Sequence, residues 1–302
     1  MKKQNKKTFE KIIGIVISVI ILFFLIKTLY DNWNQLMAYK ITFNYFSLVL
    51  SFVFLFAHLL LSVYGWKIIM NLLKAKLDFK SCMRIWFLSQ LGRYAPGRIW
   101  YLLGRMYLCE KKKISKYTTF VSLMLELAMH VLSASFTALI FVPVMIRDGG
   151  LVKFLPVFLT IPVGLILLHP KIFNFFVNIG LKIFRKKTVE LKMKYSSLLG
   201  LLAFYMFSWV VNGIGFYLLI NSFYATPLSL ILPLTGAFAV SWIIGFLSLI
   251  TPSGLGIREG ILTFLLGFYY PLPIAIIISL VSRLWIILGE LAGAGVSFKF
   301  KH

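Results

Sequence analysis

Residues 92–98 read Gly-Arg-Tyr-Ala-Pro-Gly-Arg, and they interrupt an apolar segment that runs from Met83 to Leu108. Proline removes a backbone hydrogen-bond donor, and an arginine at the centre of a membrane helix costs about 2.5–3.5 kcal/mol. The segment is therefore a poor candidate for one continuous helix. It predicts two short helices joined by a break.

The rest of the chain is dominated by apolar runs. Of its 302 residues, 60% are hydrophobic and 14% are charged, whereas soluble domains carry about 25% charged residues. A helix needs about 20 apolar residues to cross the hydrocarbon core of a membrane. The sequence predicts one all-α, polytopic transmembrane domain over residues 1–302, with about six full spans at Ile12–Tyr30, Phe46–Trp66, Thr118–Pro143, Leu151–His169, Leu198–Asn221 and Ile274–Val296.

The distribution of basic residues predicts the orientation of these spans, because lysines and arginines accumulate in cytoplasmic loops. The N-terminal segment, the tail and the loops at 67–80, 111–116 and 171–194 hold 22 of them, against 3 in the opposite loops. Both termini are therefore expected in the cytoplasm, in a multi-pass protein of the cell membrane. The net charge of +23 is explained by this bias and by anionic lipid headgroups as surface partners. We expect no nucleic-acid partner.

The basic loops also constrain the two interrupted segments. Both loops beside Met83–Leu108 are basic, so this segment is predicted to enter the membrane and return as a re-entrant hairpin, with its irregular backbone covered by protein or water. A second break, TPSGLGIREG at Thr251–Gly260, interrupts Leu228–Tyr270. It predicts a hairpin that enters from the opposite face. The alternative is three crossings with a short tilted middle one, since Leu228–Ile250 is long enough to cross.

Two broken segments entering from opposite faces predict an inverted-repeat transporter with a site near the membrane midplane. Ionisable residues inside a membrane are functional candidates by default, and arginines outnumber glutamates there. A surplus of buried positive charge predicts an anionic ligand, and the planar guanidinium matches a phosphate. The embedded set is Arg93, Arg98, Arg105, Arg258 and Arg283 with Glu126, Glu259 and Glu290; Arg105 is expected to extend to the membrane surface.

Several of these residues have a simpler interpretation. Arg283 and Glu290 could act only in packing between helices. Glu126 and His130 share a helix face at i and i+4, which suits a hydrogen bond, a proton relay or, for Glu126, an ion pair with an arginine. Tyr94, Trp100 and Trp242 are predicted to be packing or interfacial residues.

No catalytic, metal-binding or cofactor-binding motif is recognisable in the sequence, so we expect no cofactor and no metal. The two cysteines, Cys82 and Cys109, lie in or beside basic loops. Cytoplasmic thiols are kept reduced, so we expect no structural disulfide.

Four motifs resemble the lysylphosphatidylglycerol synthase transmembrane family, which is similar to the flippase half of the multiple peptide resistance factor. They are GRYAPGRIW at 92–100, the glutamate of LMLELAMH at 123–130, TPSGLGIREG at 251–260 and the arginine of VSRLW at 281–285. The second break is the most specific, because it fits the family pattern P-x-G-x-G-x-R-E. One departure is Leu127, where family members often have an arginine after the glutamate. The resemblance covers roughly Ile12 to Phe298.

The resemblance implies a flippase that moves an anionic or aminoacylated phospholipid, or a polyprenyl-phosphate-linked lipid, between leaflets. The alternative is the membrane subunit of a lipid-modifying or glycan-assembly enzyme that binds a soluble synthase or transferase; a third is a structural scaffold. We expect no aminoacyl transfer by this chain alone, because it contains no soluble catalytic domain. The residues expected to bind lipid phosphate are Arg93, Arg98, Arg258 and Arg283, supported by Pro96, Gly97, Glu126, Pro252, Gly254, Gly256 and Glu259.

Overall fold

The computed structural model describes residues 43–94, 99–139, 169–183, 194–248 and 254–300, with a few isolated positions in 23–31 and 162–166. Helices account for all regular secondary structure in these ranges, so the predicted all-α class is confirmed for them. The helices are α1 (Tyr45–Leu72), α2 (Phe79–Leu91), α3 (Ile99–Lys111), α4 (Lys116–Ala138), α5 (Pro170–Ile183), α6 (Tyr195–Asn221), α7 (Ile231–Leu247), α8 (Ile257–Leu266) and α9 (Leu272–Ser297), with 3-10 turns at Gly92–Tyr94 and Leu228–Leu230.

Polar side chains define where three of these helices begin. The backbone N–H of Ser81 donates to the Asp78 carboxylate at 3.0 Å, ahead of α2. Asn44 caps α1 and Ser115 caps α4 in the same manner. The first N–H groups of a helix lack partners within the helix, and a capping oxygen satisfies one of them. The caps thus separate α1 from α2 and α3 from α4 at short polar turns.

Five helical segments in the described ranges are long and apolar enough to cross a membrane. Four of them match predicted spans, and the fifth is Leu228–Leu247, within the second interrupted segment. This segment is long enough for α7 to cross the membrane completely, as the alternative prediction of three crossings requires. The predicted spans Ile12–Tyr30 and Leu151–His169 lie almost wholly outside the described residues. The chain is a multi-pass membrane protein.

The first interrupted segment folds as two antiparallel helices. α2 and α3 have 13 residues each, which makes each about 20 Å long, well short of a membrane core of about 30 Å. Ser89 on α2 accepts a hydrogen bond from Arg105 on α3. Nearer the break, a Cβ atom on Gly92 would lie 2.7 Å from the backbone nitrogen of Tyr101. Glycine is needed there because the two arms approach so closely.

The second interrupted segment also reverses direction. Gly254 and Gly256 have φ of +70° and +79°, a conformation that side chains other than glycine rarely adopt. A Cβ atom on Gly254 would lie 2.6 Å from the carbonyl oxygen of Gly245, so the chain folds back tightly on the end of α7. The following helix, α8, has 10 residues and is about 15 Å long, too short to cross alone.

The last helix, α9, lies beside elements from both interrupted segments. The hydroxyl of Thr263 on α8 donates to that of Ser279 on α9 at 2.8 Å. Further along α9, Gly293 packs against the ring of Phe87 on α2, where a Cβ atom would lie 2.1 Å from the ring. Small residues permit such close helix contacts within a membrane. α9 therefore holds both breaks in one packed unit.

Helix α5 differs from the sequence-based assignment. Residues 171–194 are predicted to be a basic cytoplasmic loop, whereas Pro170–Ile183 is helical. Apolar residues recur within PKIFNFFVNIGLKI at helical spacing, and this pattern favours an amphipathic helix. The count of basic charges assigned the side of the membrane but not the local structure.

Candidate functional site

Every embedded glutamate forms an ion pair with an arginine from another element. Glu290 pairs with Arg93, Glu126 with Arg105, and Glu259 with Arg283. A buried charge without a partner costs several kcal/mol, so pairing is the expected state. The pairs link the breaks and the spans to one another.

The first break is fixed to α9 through Glu290. Nη2 of Arg93 lies 2.8 Å from one carboxylate oxygen of Glu290. The hydroxyl of Tyr94 donates to the other oxygen at 2.6 Å. The Glu290 side chain is only 3% exposed, whereas that of Arg93 is 30% exposed. Arg93 is therefore paired on one side and open on the other, and Tyr94 has a polar role beyond the predicted packing.

Arg105 is completely buried, so the prediction that it reaches the membrane surface is wrong. Its Nη1 pairs with Glu126, and its Nε donates to the hydroxyl of Ser89 at 3.0 Å. The guanidinium also lies 4.9 Å from the centre of the Trp66 ring. Polar partners inside the protein replace water, so the side chain does not need to extend outward.

Glu126 is fully engaged, with Arg105 on one oxygen and the indole N–H of Trp86 at 2.7 Å from the other. The predicted pairing of Glu126 with an arginine is confirmed. His130 instead packs on the ring of Tyr205, at 4.6 Å between centroids. Within the described ranges, no group of three histidine, cysteine or acidic side chains is placed to hold a metal. Trp86, Arg105 and Glu126 thus form a node that joins α2, α3 and α4.

The second break is organised by Glu259. One of its oxygens accepts a hydrogen bond from the backbone N–H of Gly256 at 2.6 Å, which caps the start of α8. The other oxygen lies 3.7 Å from Nε of Arg283 on α9. The Gly-x-Gly-x-Arg-Glu part of the motif therefore forms a tight left-handed turn that is closed by its own glutamate.

Arg258 is the exception among the embedded cations. Arg258 is only 7% exposed, and its guanidinium lies 4.7 Å from the centre of the Phe238 ring. Nη2 is buried without a hydrogen-bond partner. Among the described residues, no carboxylate lies within ion-pair distance of it. Because Glu126, Glu259 and Glu290 each pair with another arginine, Arg258 carries the surplus positive charge among the embedded residues that the structure describes.

One described arginine from each break, Arg93 and Arg258, shares an electrostatic environment with Arg283. Arg258 is close enough to Arg283, Glu259 and Arg93 for their charges to act on it. The first N–H groups of α8, beside Arg258, add partial positive charge. An anion at this point would meet several positive charges. We call Arg93, Arg258 and Arg283 with Glu259 and Glu290 the arginine cluster.

Other predicted site residues fall in different places. Glu126 belongs to the α2–α3–α4 node and not to the arginine cluster. Gly254 and Gly256 form the turn before α8. Four predicted residues, Pro96, Gly97, Arg98 and Pro252, lie outside the described ranges.

Two residues of the site were missed because their role depends on which helices face each other. The Phe238 ring packs against the guanidinium of Arg258, and the indole N–H of Trp86 donates a hydrogen bond to Glu126. Both look like ordinary apolar-helix residues in the sequence. Trp242 packs on Trp209 and Phe246, as the packing prediction has it.

Comparison with known proteins agrees with the motifs. No curated protein matches the chain. The family model described as the lysylphosphatidylglycerol synthase TM region matches residues 11–292, which includes both breaks and all residues of the arginine cluster. The chain therefore belongs to the lysylphosphatidylglycerol synthase transmembrane family.

Proposed function

We propose that this protein moves a phosphate-bearing lipid between the two leaflets of the cell membrane, and that Arg258 binds the lipid phosphate. The observation that supports this most directly is the burial of Arg258 without a carboxylate partner among the residues that the structure describes. Arginine does not lose its proton in proteins, so the charge persists inside the membrane. A negatively charged ligand would compensate it. Lipids of this class include anionic or aminoacylated phospholipids and polyprenyl-phosphate-linked lipids.

The geometry around Arg258 suits a phosphate. The Phe238 ring lies against the face of the guanidinium, and Nη2 at its edge has no hydrogen-bond partner. Guanidinium groups bind phosphate oxygens in pairs through such edges. Arg93 is exposed on one side of its ion pair and would supply a second donor.

The two hairpins supply a route for alternating access. In this proposal the α2–α3 hairpin enters the membrane from the cytoplasmic side and the α7–α8 segment from the opposite side, with both termini in the cytoplasm. Both are fixed to α9 by ion pairs of the arginine cluster. A phosphate that competes with Glu290 for Arg93, or with Glu259 for Arg283, would loosen one hairpin at a time. Such exchange of partners couples ligand position to opening.

The experiment that tests the proposal measures leaflet exchange of fluorescent lipids in proteoliposomes of the full chain. Arg258→Gln should slow exchange of phosphatidylglycerol at least about tenfold, because a hydrogen bond to a charged group contributes about 1.5–3 kcal/mol. Arg258→Lys should retain part of the activity. Lys113→Gln, which removes an exposed charge of the same sign, is the control and should leave exchange unchanged.

A stability measurement separates a ligand-binding role from a structural one. Arg258→Gln leaves no described carboxylate unpaired, and removal of a buried charge offsets the lost contact with Phe238. The apparent melting temperature in detergent should therefore stay about the same. Slower exchange with unaltered stability would support the proposal. Normal exchange in a correctly folded Arg258→Gln protein would refute it. Comparison of phosphatidylglycerol, its lysyl ester and phosphatidylcholine would identify the lipid class.

A further inference from the structure

A second concentration of basic side chains lies away from the arginine cluster. A pocket of about 340 Å³ opens where the start of α2, the end of α3 and the segment after α9 meet. Its volume falls in the range of about 300–1,000 Å³ that is usual for small-molecule sites. Four basic residues line it together with one acidic residue: Lys80, Arg84, Lys112 and Lys299 with Asp78.

The positive charge of this pocket exceeds the negative charge of Asp78, the one carboxylate among its lining residues. Asp78 already accepts the backbone N–H of Ser81 as the cap of α2. The ion pair nearest in sequence joins Glu110 to Lys116. It involves none of the three pocket lysines and not Arg84. None of the four basic side chains lies within ion-pair distance of a described carboxylate. The repulsion among them favours an anionic occupant.

Arg84 is positioned by the polypeptide itself. Its Nη1 donates to the carbonyl oxygen of Phe300, which ties the segment after α9 to α2. Its Nε is buried without a hydrogen-bond partner. Arg84 also lines the pocket, so its side chain is held in place before an anion binds. Arginine and lysines converging from three chain segments are the groups that bind phosphate oxygens.

We infer that this pocket binds a phosphate group, carried either by an anionic phospholipid headgroup or by a free phosphate ion. The site shares no residue with the arginine cluster, so it is separate from the proposed transport site. The loops around it belong to the basic, predicted cytoplasmic side of the protein. Its occupant would link α2, α3 and the end of α9 at their ends. Binding there would stabilise the folded protein without requiring lipid movement.

Binding is tested on the full chain in detergent, with inorganic phosphate as one probe and phosphatidylglycerol-containing nanodiscs as the other. Affinity for free phosphate is measured by titration, and stabilisation by lipid is measured against nanodiscs of phosphatidylcholine alone. Arg84→Gln should weaken phosphate binding about tenfold, since hydrogen bonds to charged groups are the strong ones. Lys112→Gln and Lys299→Gln, which leave the Arg84–Phe300 contact intact, should each weaken it about threefold.

The neighbouring Lys113 provides a matched control, because it is exposed and does not line the pocket. Weaker phosphate or lipid binding in Lys112→Gln than in Lys113→Gln supports the site. A response to lipid but not to inorganic phosphate supports the site and identifies the headgroup as its source. Equal binding by the wild type and all three pocket variants, or no binding of either probe by the wild type, overturns it. In an Arg258→Gln background the loss of phosphate affinity caused by Arg84→Gln should persist, so failure here is distinct from failure of the transport proposal.

Discussion

Arg283 and Glu290 lie seven residues apart on one face of α9, and each forms an ion pair with a different broken segment. Seven residues are two helical turns, or about 10 Å along the axis. Arg283 contacts Glu259 at the start of α8, and Glu290 contacts Arg93 in the turn after α2. One rigid helix therefore sets the spacing between the two breaks. Arg258, which forms no ion pair with any described carboxylate, adjoins Glu259 in the sequence.

The ion pair between Arg93 and Glu290 is the first contact to test. Glu290→Gln and Arg93→Gln, singly and together, should show a coupling of about 1 kcal/mol in a double-mutant cycle. The value is modest because Arg93 is 30% exposed and solvent screens the pair. Thermal denaturation in detergent gives the stabilities. Additive effects of the two substitutions would contradict a direct pair.

Glu126 should contribute far more to stability than an exposed glutamate. Glu126→Gln leaves the completely buried Arg105 without its counter-charge, which should cost about 3–5 kcal/mol. The matched control is Glu110→Gln, because Glu110 pairs with Lys116 but both side chains are more than half exposed. That change should cost about 0–1 kcal/mol. Similar losses of stability in the two variants would be inconsistent with the node as described.

The turn before α8 should tolerate no side chain at Gly254. Its φ of +70° costs an alanine about 1–2 kcal/mol, and the added Cβ would meet the carbonyl oxygen of Gly245 at 2.6 Å. Gly254→Ala should therefore lower both stability and lipid exchange. Gly200→Ala on α6 has nothing within 4 Å and should be neutral or stabilising. A harmless Gly254→Ala substitution would mean that the turn is not held as tightly as its geometry indicates.

The cap of α2 gives a pH-dependent prediction. Hydrogen bonds from Ser81 lower the pKa of Asp78 below its usual value, so the charged carboxylate is favoured by folding. Its contribution to stability is present above the pKa of the unfolded chain, and it is lost as the pH falls through the lowered pKa of the folded state. Asp78→Ala should thus destabilise the protein at neutral pH and less so in acid. Melting curves of both proteins across pH would measure this; a constant difference at all pH values would contradict it.

The positions of the breaks could be predicted from the sequence, because proline, glycine and arginine within apolar runs are incompatible with ordinary spanning helices. Three of the four arginines expected at the site do converge in the described structure. The pairing scheme could not be predicted, since it depends on which helices face each other. Arg105 shows why: its short sequence distance from a basic loop suggested the surface, yet the antiparallel packing of α2 on α3 places it between Ser89 and Glu126.

Phe238 offers a test that separates support of Arg258 from simple packing. A cation above an aromatic face gains about 2 kcal/mol when water is excluded, and Phe238→Leu removes that face. The control is Phe216→Leu, because the Phe216 ring is also buried and lies 4.7 Å from that of Phe238. Both variants should lose stability through poorer packing, Phe238→Leu by up to about 2 kcal/mol more because it also loses the contact with Arg258. Only Phe238→Leu should slow lipid exchange, by about tenfold. If lipid exchange falls equally in both variants, the Phe238 ring contributes only to core packing. Arg258 would then not depend on that ring for its orientation.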